Sequence, residues 1–351
     1  MQLTPVDAMR RAIELAARGP ELGPNPRVGS VLLAAGPASA PREVLGEGWH
    51  RGAGTAHAEV AALADARARG IDVRGATAVV TLEPCNHTGR TGPCVDALLD
   101  AGVAEVIYAV DDPNPAAAGG AVRLQASGVT VHSGLEGAAA GELIRAWATP
   151  ARLGRPFVTL KLALTLDGKI AAADGTSQWI TSPTAQAHAH GVRTRVDAIA
   201  VGTGTALADD PALTARTPDG ALLPEQPLRV VLGNRELPAS AQLRDDRAPL
   251  LQLRTHDVTA ALSELAARNI HHVLVEGGAT VAAALLRADV VDELHVYLAP
   301  LLLGEGTAAV APFGVGTLAE ARRWRFDAPE PLAPDVFLRA RRTTNPTPEG
   351  A

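Results

Sequence analysis

Cysteine is almost missing from this chain: Cys85 and Cys94 are the only two in 351 residues. That scarcity excludes a disulfide-stapled secreted scaffold, which needs several paired cysteines in a short chain. Lysine is equally rare, since Lys161 and Lys169 are the only lysines among 32 basic residues. Aromatic residues make up 3% of the sequence, the formal net charge is −6 and the isoelectric point is about 5.9. This balance carries no electrostatic footprint for nucleic acid or an anionic membrane. No apolar run approaches the roughly 18 to 20 residues that a membrane-spanning helix needs. The expectation is a cytoplasmic protein acting on a small molecule, with no nucleic-acid or membrane partner, and assembling as a homo-oligomer.

The length fits two domains of roughly 150 to 200 residues, each able to bury a sizeable core. TPVDAMRRAIELAARG at the N-terminus reads as an amphipathic helix rather than a leader. VGSVLLAA and REVLGEGWH read as strands, AHAEVAALADARARG as a helix stopped by Gly70, GATAVVTLEP as a buried strand, and GPCVDALLDAG and VAEVIYAV as a further helix and strand. Such alternation predicts a three-layer α/β domain with a largely parallel sheet. Pro and Gly punctuate TPARLGRPF, so a domain over 1–149 is expected to give way to a second α/β domain over 150–342. NPTPEGA falls within an expected frayed tail, 343–351.

Cys85 and Cys94 lie in the polar stretch TLEPCNHTGRTGPC, where a disulfide, two buried apolar side chains and two legs of a metal site are the competing readings. Thiols stay reduced in the cytoplasm, which favours metal or catalysis. Catalytic zinc takes about three His or Cys ligands and keeps a position open for water. His57, in HAE at 57–59, supplies the third ligand, and helix N-termini beside the sulfurs favour thiolate. Glu59 is then placed to move protons without ligating metal. The pattern H-x-E…P-C…C belongs to zinc nucleobase deaminases. Here eight residues separate the cysteines instead of two. His87 is either a fourth ligand or a substrate-side group, and the open position of catalytic zinc favours the latter. Lys161 is a catalytic candidate, because an ammonium is a compact donor that a guanidinium cannot mimic.

PNPRVG (24–29), GEGWHRGAGTAHAEV (46–60), TLEPCNHTGRTGPC (81–94) and DDPNP (111–115) together resemble the N-terminal domain of the RibD (RibG) family, the bifunctional deaminase-reductases of riboflavin biosynthesis, which carry the long insertion between the cysteines. The resemblance implies a cytidine-deaminase-like three-layer α/β/α domain, with zinc on His57, Cys85 and Cys94. It also implies a substrate pocket lined by Asn25, His50, Asn86, His87, Arg90, Asp111 and Asn114, with Arg90 contacting a phosphate.

In the second half, GTGTAL lacks the third glycine of a dinucleotide fingerprint. VLVEGGATVAAALL reads as strand, Gly-Gly and helix, either an ordinary connection or a phosphate cradle. LKLALTLDGKIA, SQWITS, VRTRVDAIAVGTGTALADDPALTAR, VLVEGGATVAAALL and VDELHVYLAPLLLG again resemble RibD, here its dihydrofolate-reductase-like NADPH domain. This implies cofactor contacts at Ala163, Trp179, Thr205 and Asp209. The turn Gly277, Gly278, Ala279, Thr280, Val281, Ala282, Ala283 and Ala284 would complete them. Ser177, Arg193, Leu213, Arg216 and Glu276 would touch substrate, the two arginines pairing bidentately with its phosphate. Gly233 stands where the family typically has an aspartate. The implied reactions are zinc-dependent deamination of 2,5-diamino-6-ribosylamino-4(3H)-pyrimidinone 5′-phosphate and NADPH-dependent reduction of the ribosyl group of 5-amino-6-(5-phosphoribosylamino)uracil to ribityl.

Overall fold

The structure, a computed structural model, describes residues 1–37, 40–88, 92–217 and 219–342. The chain divides into two compact units, 1–154 and 155–351, and the expected tail over 343–351 lies outside the described residues.

Unit 1 runs β1 (Gln2–Leu3), α1 (Pro5–Ala16), β2 (Gly29–Leu33), β3 (Arg42–Trp49), α2 (Ala58–Ala68), β4 (Thr77–Leu82), α3 (Cys94–Asp100), β5 (Glu105–Val110), α4 (Gly120–Ala126), β6 (Thr130–Ser133) and α5 (Gly137–Leu153). Thr4 caps α1 by accepting from the Asp7 amide, Pro5 opens the helix, and Ala8, Met9, Ala12 and Leu15 line its buried stripe. The sheet order is β1-β3-β2-β4-β5-β6. Only β4-β5 and β5-β6 are parallel, while β1-β3, β2-β3 and β2-β4 are antiparallel. The expectation of a largely parallel sheet is therefore corrected to a mixed one. β2 and β3 are joined without a crossover helix, and a direct return reverses strand direction. One face packs α1 and Ala140 of α5, and the other packs α2, α3 and α4, giving three layers.

Unit 2 continues with β7 (Phe157–Thr165), β8 (Lys169–Ala171), α6 (Pro183–Arg193), β9 (Ala198–Gly202), α7 (Thr203–Asp209), β10 (Leu228–Leu232), β11 (Leu250–Leu253), α8 (Val258–Ala267), β12 (His272–Val275), α9 (Ala279–Arg287), β13 (Glu293–Ala299), β14 (Thr307–Ala308), β15 (Trp324–Phe326), β16 (Glu330–Leu332) and β17 (Asp335–Arg342). Strands run β11-β10-β9-β12-β7-β13-β17-β15, parallel through β13 and antiparallel beyond it. β7 alternates as a strand must: Val158, Leu160 and Leu162 enter the core beneath α8 and α9, which turns Lys161 and Ala163 to the opposite face. α6 and α7 have no counterpart in the sequence reading. Their short runs PTAQAHAHGVR and TGTALAD carry little apolar periodicity.

Candidate functional sites

Helix α2 begins at its N-cap, His57. It reaches that place because β3 offers no side chain beneath it at two positions: a Cβ on Gly48 would fall 2.3 Å from the Ala62 nitrogen, and one on Gly46 would fall 2.4 Å from the Ala62 carbonyl oxygen. GEGWH is thus the floor that lets His57 and Glu59 approach the end of β4. Three residues past that strand comes Cys85, and Cys94 opens α3, its amide donating to Cys85 Sγ at 3.4 Å.

His57 Nδ1 lies 3.2 Å from Cys94 Sγ and 3.5 Å from Cys85 Sγ, and the three donor atoms all fall within 4.8 Å of one another. Tetrahedral zinc bonds of about 2.3 Å to sulfur and 2.0 to 2.1 Å to nitrogen would set N and S roughly 3.5 Å apart, so the trio fits the ion. Both cysteines are free and buried. Hydrogen bonds with Cys94 and His57 draw the Cys85 thiol down to about 4, while the same pairing and burial push Cys94 well above its usual range. Thiolate is the form that ligates metal, and the lowered Cys85 thiol favours it. The Cys85 contact in turn raises the His57 imidazole. Glu59 is 4% exposed, and burial lifts its carboxyl to about 7.

These groups open on a cavity of about 390 Å³. Asn25, His50, His87 and Asn114 line it, as expected of them. His50 Nδ1 faces the Ala56 carbonyl at 3.1 Å and Nε2 faces Asn25 Nδ2 at 2.9 Å. That pairing sets the tautomer: Nδ1 donates and Nε2 accepts. His87 is not in the three-donor cluster and its buried Nδ1 has no partner among the described residues, in keeping with a substrate-side place. Two expectations are corrected. Asn86 does not line the cavity, because its Oδ1 accepts from Arg123 Nη1 at 2.9 Å. Asp111 is held off by Tyr108, whose hydroxyl donates to it at 2.8 Å, and its neighbour Asp112 lines the cavity instead. Arg90 lies outside the described residues. Sequence reasoning also missed Glu83, which lines the cavity, although it stands one residue before the Pro84-Cys85 pair.

In unit 2 a cavity of about 460 Å³ is lined by the catalytic candidate Lys161 and by Ala163, Ser177, Trp179, Thr205, Asp209, Arg193, Leu213, Arg216 and Glu276, nine of the residues expected at cofactor or substrate. Trp179 is 72% exposed and so contributes nothing to the core. Leu213 is buried with φ +47, a strained conformation for a branched residue and of the kind that collects at ligand sites. Glu276 follows β12 and receives Arg193 through Nε at 2.6 Å and Nη2 at 2.9 Å, while Lys161 Nζ stands 3.6 Å away. Burial alone would raise the Glu276 carboxyl, but the Arg193 and Lys161 charges outweigh it and hold it at about 2. The fork expected to grip phosphate in Arg193 is therefore occupied by Glu276. Arg216 spends Nε on Thr214 Oγ1 and Nη1 on the Gly220 carbonyl, so neither arginine offers the bidentate phosphate grip expected of it.

The glycine turn divides. A Cβ on Gly278 would fall 3.3 Å from Thr205 Oγ1, so the Gly277-Gly278 backbone and the start of α9, with Ala279 and Thr280, form a cradle beside the cavity that suits a nucleotide phosphate. Ala282, expected at the cofactor, is instead a core residue at 0% exposure, because the helix turns it onto the sheet, and Ala283, also expected there, is 2% exposed and lines a smaller cavity rather than the larger one. Val281 packs against the backbone of Gly202 and Gly277, and with Thr280 and Ala284 it borders a separate cavity of about 300 Å³. Gly233 adopts φ +123 with its backbone against Thr203 Oγ1, so this turn demands glycine. His190 and Tyr297, not foreseen, also line the larger cavity.

Comparisons with known proteins bear on both sites. Residues 4–110 match the cytidine and deoxycytidylate deaminase zinc-binding region, and residues 156–338 match the RibD C-terminal domain. The chain is 49% identical over 317 residues to Riboflavin biosynthesis protein RibD of Mycobacterium tuberculosis, covering 90% of each chain. It is 40% identical over 365 residues to the Escherichia coli K12 protein of the same name, covering 94% of this chain and 97% of that one. It is also similar to the crystal structure of a diaminohydroxyphosphoribosylaminopyrimidine deaminase/5-amino-6-(5-phosphoribosylamino)uracil reductase from Thermotoga maritima, with a TM-score of 0.83 and 32% identity over 97% of this chain and 99% of that one. With a zinc-type deaminase unit followed by a RibD-type reductase unit, the chain belongs to the RibD family.

Proposed function

We propose that this chain carries out two consecutive reactions of riboflavin biosynthesis, deamination in unit 1 and reduction in unit 2. The observation that carries the reading is the His57, Cys85 and Cys94 trio with Glu59 buried beside it at the floor of a cavity. When bound by the trio, zinc supplies Lewis acidity that lowers the pKa of water from about 15.7 toward 7. Glu59 takes the proton of the attacking water on its carboxylate and returns it to the departing amine. Its carboxyl, lifted to about 7 by burial, suits both tasks near neutral pH. Water adds to C2 of the diaminopyrimidine and ammonia leaves, so the ring exchanges an amine for a carbonyl. Asn25, His50, His87, Asp112 and Asn114 orient the pyrimidine. Arg90 would meet the phosphate.

In unit 2, NADPH, when bound along the Gly277-Gly278 cradle, supplies the hydride. As hydride adds at C1′ the bond from C1′ to the ribose ring oxygen opens, and Lys161, aimed by Glu276 Oε2 3.6 Å from its Nζ, gives that oxygen its proton. Ala163, Thr205, Asp209 and Trp179 would flank the cofactor, while Ser177, Leu213, Arg193 and Arg216 shape the substrate end. Two free cysteines are in keeping with a reducing, cytoplasmic setting. Phe326, 57% exposed on the edge strand β15, is in keeping with a homo-oligomer.

The test supplies the diaminopyrimidine phosphate with NADPH and follows ammonia and cofactor oxidation together. Ammonia first, then oxidation that depends on it, supports the reading. Oxidation of NADPH with the diamino compound intact would overturn the order of the two steps.

A further inference from the structure

The segment bearing Asp112 and Asn114 has no regular structure of its own between β5 and α4, yet it forms one wall of the deaminase cavity. What fixes it is a carboxylate across the chain. Glu83, 7% exposed, accepts the Asp112 amide on Oε2 at 3.2 Å and the Gly119 and Ala121 amides on Oε1 at 3.1 and 2.9 Å. Backbone bonds tie the same two segments: the Glu83 amide donates to the Val110 carbonyl and the Asn86 amide to the Ala117 carbonyl, each at 2.9 Å. Contact is tight enough that a Cβ on Gly120 would lie 1.8 Å from the Pro84 carbonyl oxygen. Glu83 is two residues before Cys85, so the arm that delivers a metal ligand also carries the clamp on the substrate wall.

We propose that Glu83 is a positioning residue for deamination, setting the place of Asp112 and Asn114 relative to Cys85. This rests on the deaminase reading of the cavity. Both carboxylate oxygens accept backbone N–H groups, which holds Glu83 against the chain and leaves proton transfer, in the proposed reading, to Glu59. A carboxylate is required because three donors converge on it. Glutamine has one acceptor oxygen, so Glu83→Gln keeps Gly119 and Ala121 and turns an amide N–H against the Asp112 N–H. Glu83→Ala frees all three. The wall should therefore loosen first at Asp112 and only then at the start of α4.

The experiment measures single-amide hydrogen exchange, zinc content and steady-state deamination of the diaminopyrimidine phosphate on the full zinc-loaded chain. For Glu83→Gln the result expected is faster exchange at Asp112 with Gly119 and Ala121 still protected. The KM should rise roughly tenfold, since one charge-assisted bond is lost, with kcat changed less and zinc stoichiometry retained. Glu83→Ala should expose all three amides and raise KM further. Unchanged exchange at Asp112, loss of zinc in the glutamine variant, or a fall in kcat at constant KM would each overturn the proposal. Were the parent chain itself to release no ammonia, the deaminase reading would fall while the exchange pattern still judged the clamp.

Discussion

Glu59 and Glu276 are two buried carboxyls with opposite fates, and the difference is the company each keeps. For Glu59 burial outweighs the nearby His57 and lifts the carboxyl to about 7, whereas Glu276 faces Arg193 and Lys161 and is held at about 2. Glu59→Gln should lower the deamination rate by about 10² to 10⁴-fold while zinc remains bound, as read by ammonia release and metal content. A loss under tenfold would remove Glu59 from proton transfer. Glu276→Gln leaves Arg193 buried beside a neutral amide and should cost about 3 to 5 kcal/mol at pH 7, measured by denaturant unfolding. The sign of the pH effect follows from the depressed value. Between 4.5 and about 2 the unfolded state binds more protons, so the stability supplied by the Glu276 carboxylate is complete above 4.5 and drains away as pH falls toward 2. The gap between parent and variant should close over that window, and a constant gap would contradict the ion-pair account. Residue chemistry was legible where a side-chain type is itself the signal, as in His57, Cys85, Cys94 and Glu59. It was not legible where a partner far along the chain decides. Tyr108 draws Asp111 away and leaves the cavity to Asp112, and Glu83 gains its role only from amides at Asp112, Gly119 and Ala121, 29, 36 and 38 residues on.

Helix α2 owes its position to two missing side chains. Gly46 and Gly48 let it lie directly on β3, which carries His57 to the sulfurs. Gly48→Ala should therefore destabilise unit 1 by about 1 to 3 kcal/mol and weaken zinc binding together, as read by melting and metal titration. Gly191→Ala, inside α6 with nothing within 4 Å of the new methyl, should instead stabilise by about 0.5 to 1 kcal/mol. Equal effects from the two substitutions would refute the close-approach argument. The helices with apolar stripes, such as α1 and α9, are legible in TPVDAMRRAIELAARG and VLVEGGATVAAALL. Strand direction is not, because β2 and β3 read alike whichever way they run and only the missing crossover makes them antiparallel.

At the scale of the whole molecule the two halves share an architectural class and differ in chemistry. Unit 1 gathers soft donors and one buried carboxyl, and unit 2 gathers a charged triad beside a glycine cradle. Removing metal should touch one activity only. A single measurement reaches the central claim directly: strip the protein with a chelator, then titrate zinc back while recording bound metal per chain, ammonia release from the diaminopyrimidine phosphate, and NADPH oxidation with the deaminated compound. The account predicts that ammonia release disappears and returns in step with one zinc per chain, that reduction continues throughout, and that Cys85→Ser or Cys94→Ser abolishes the recovery. Full ammonia release from metal-free protein would contradict it.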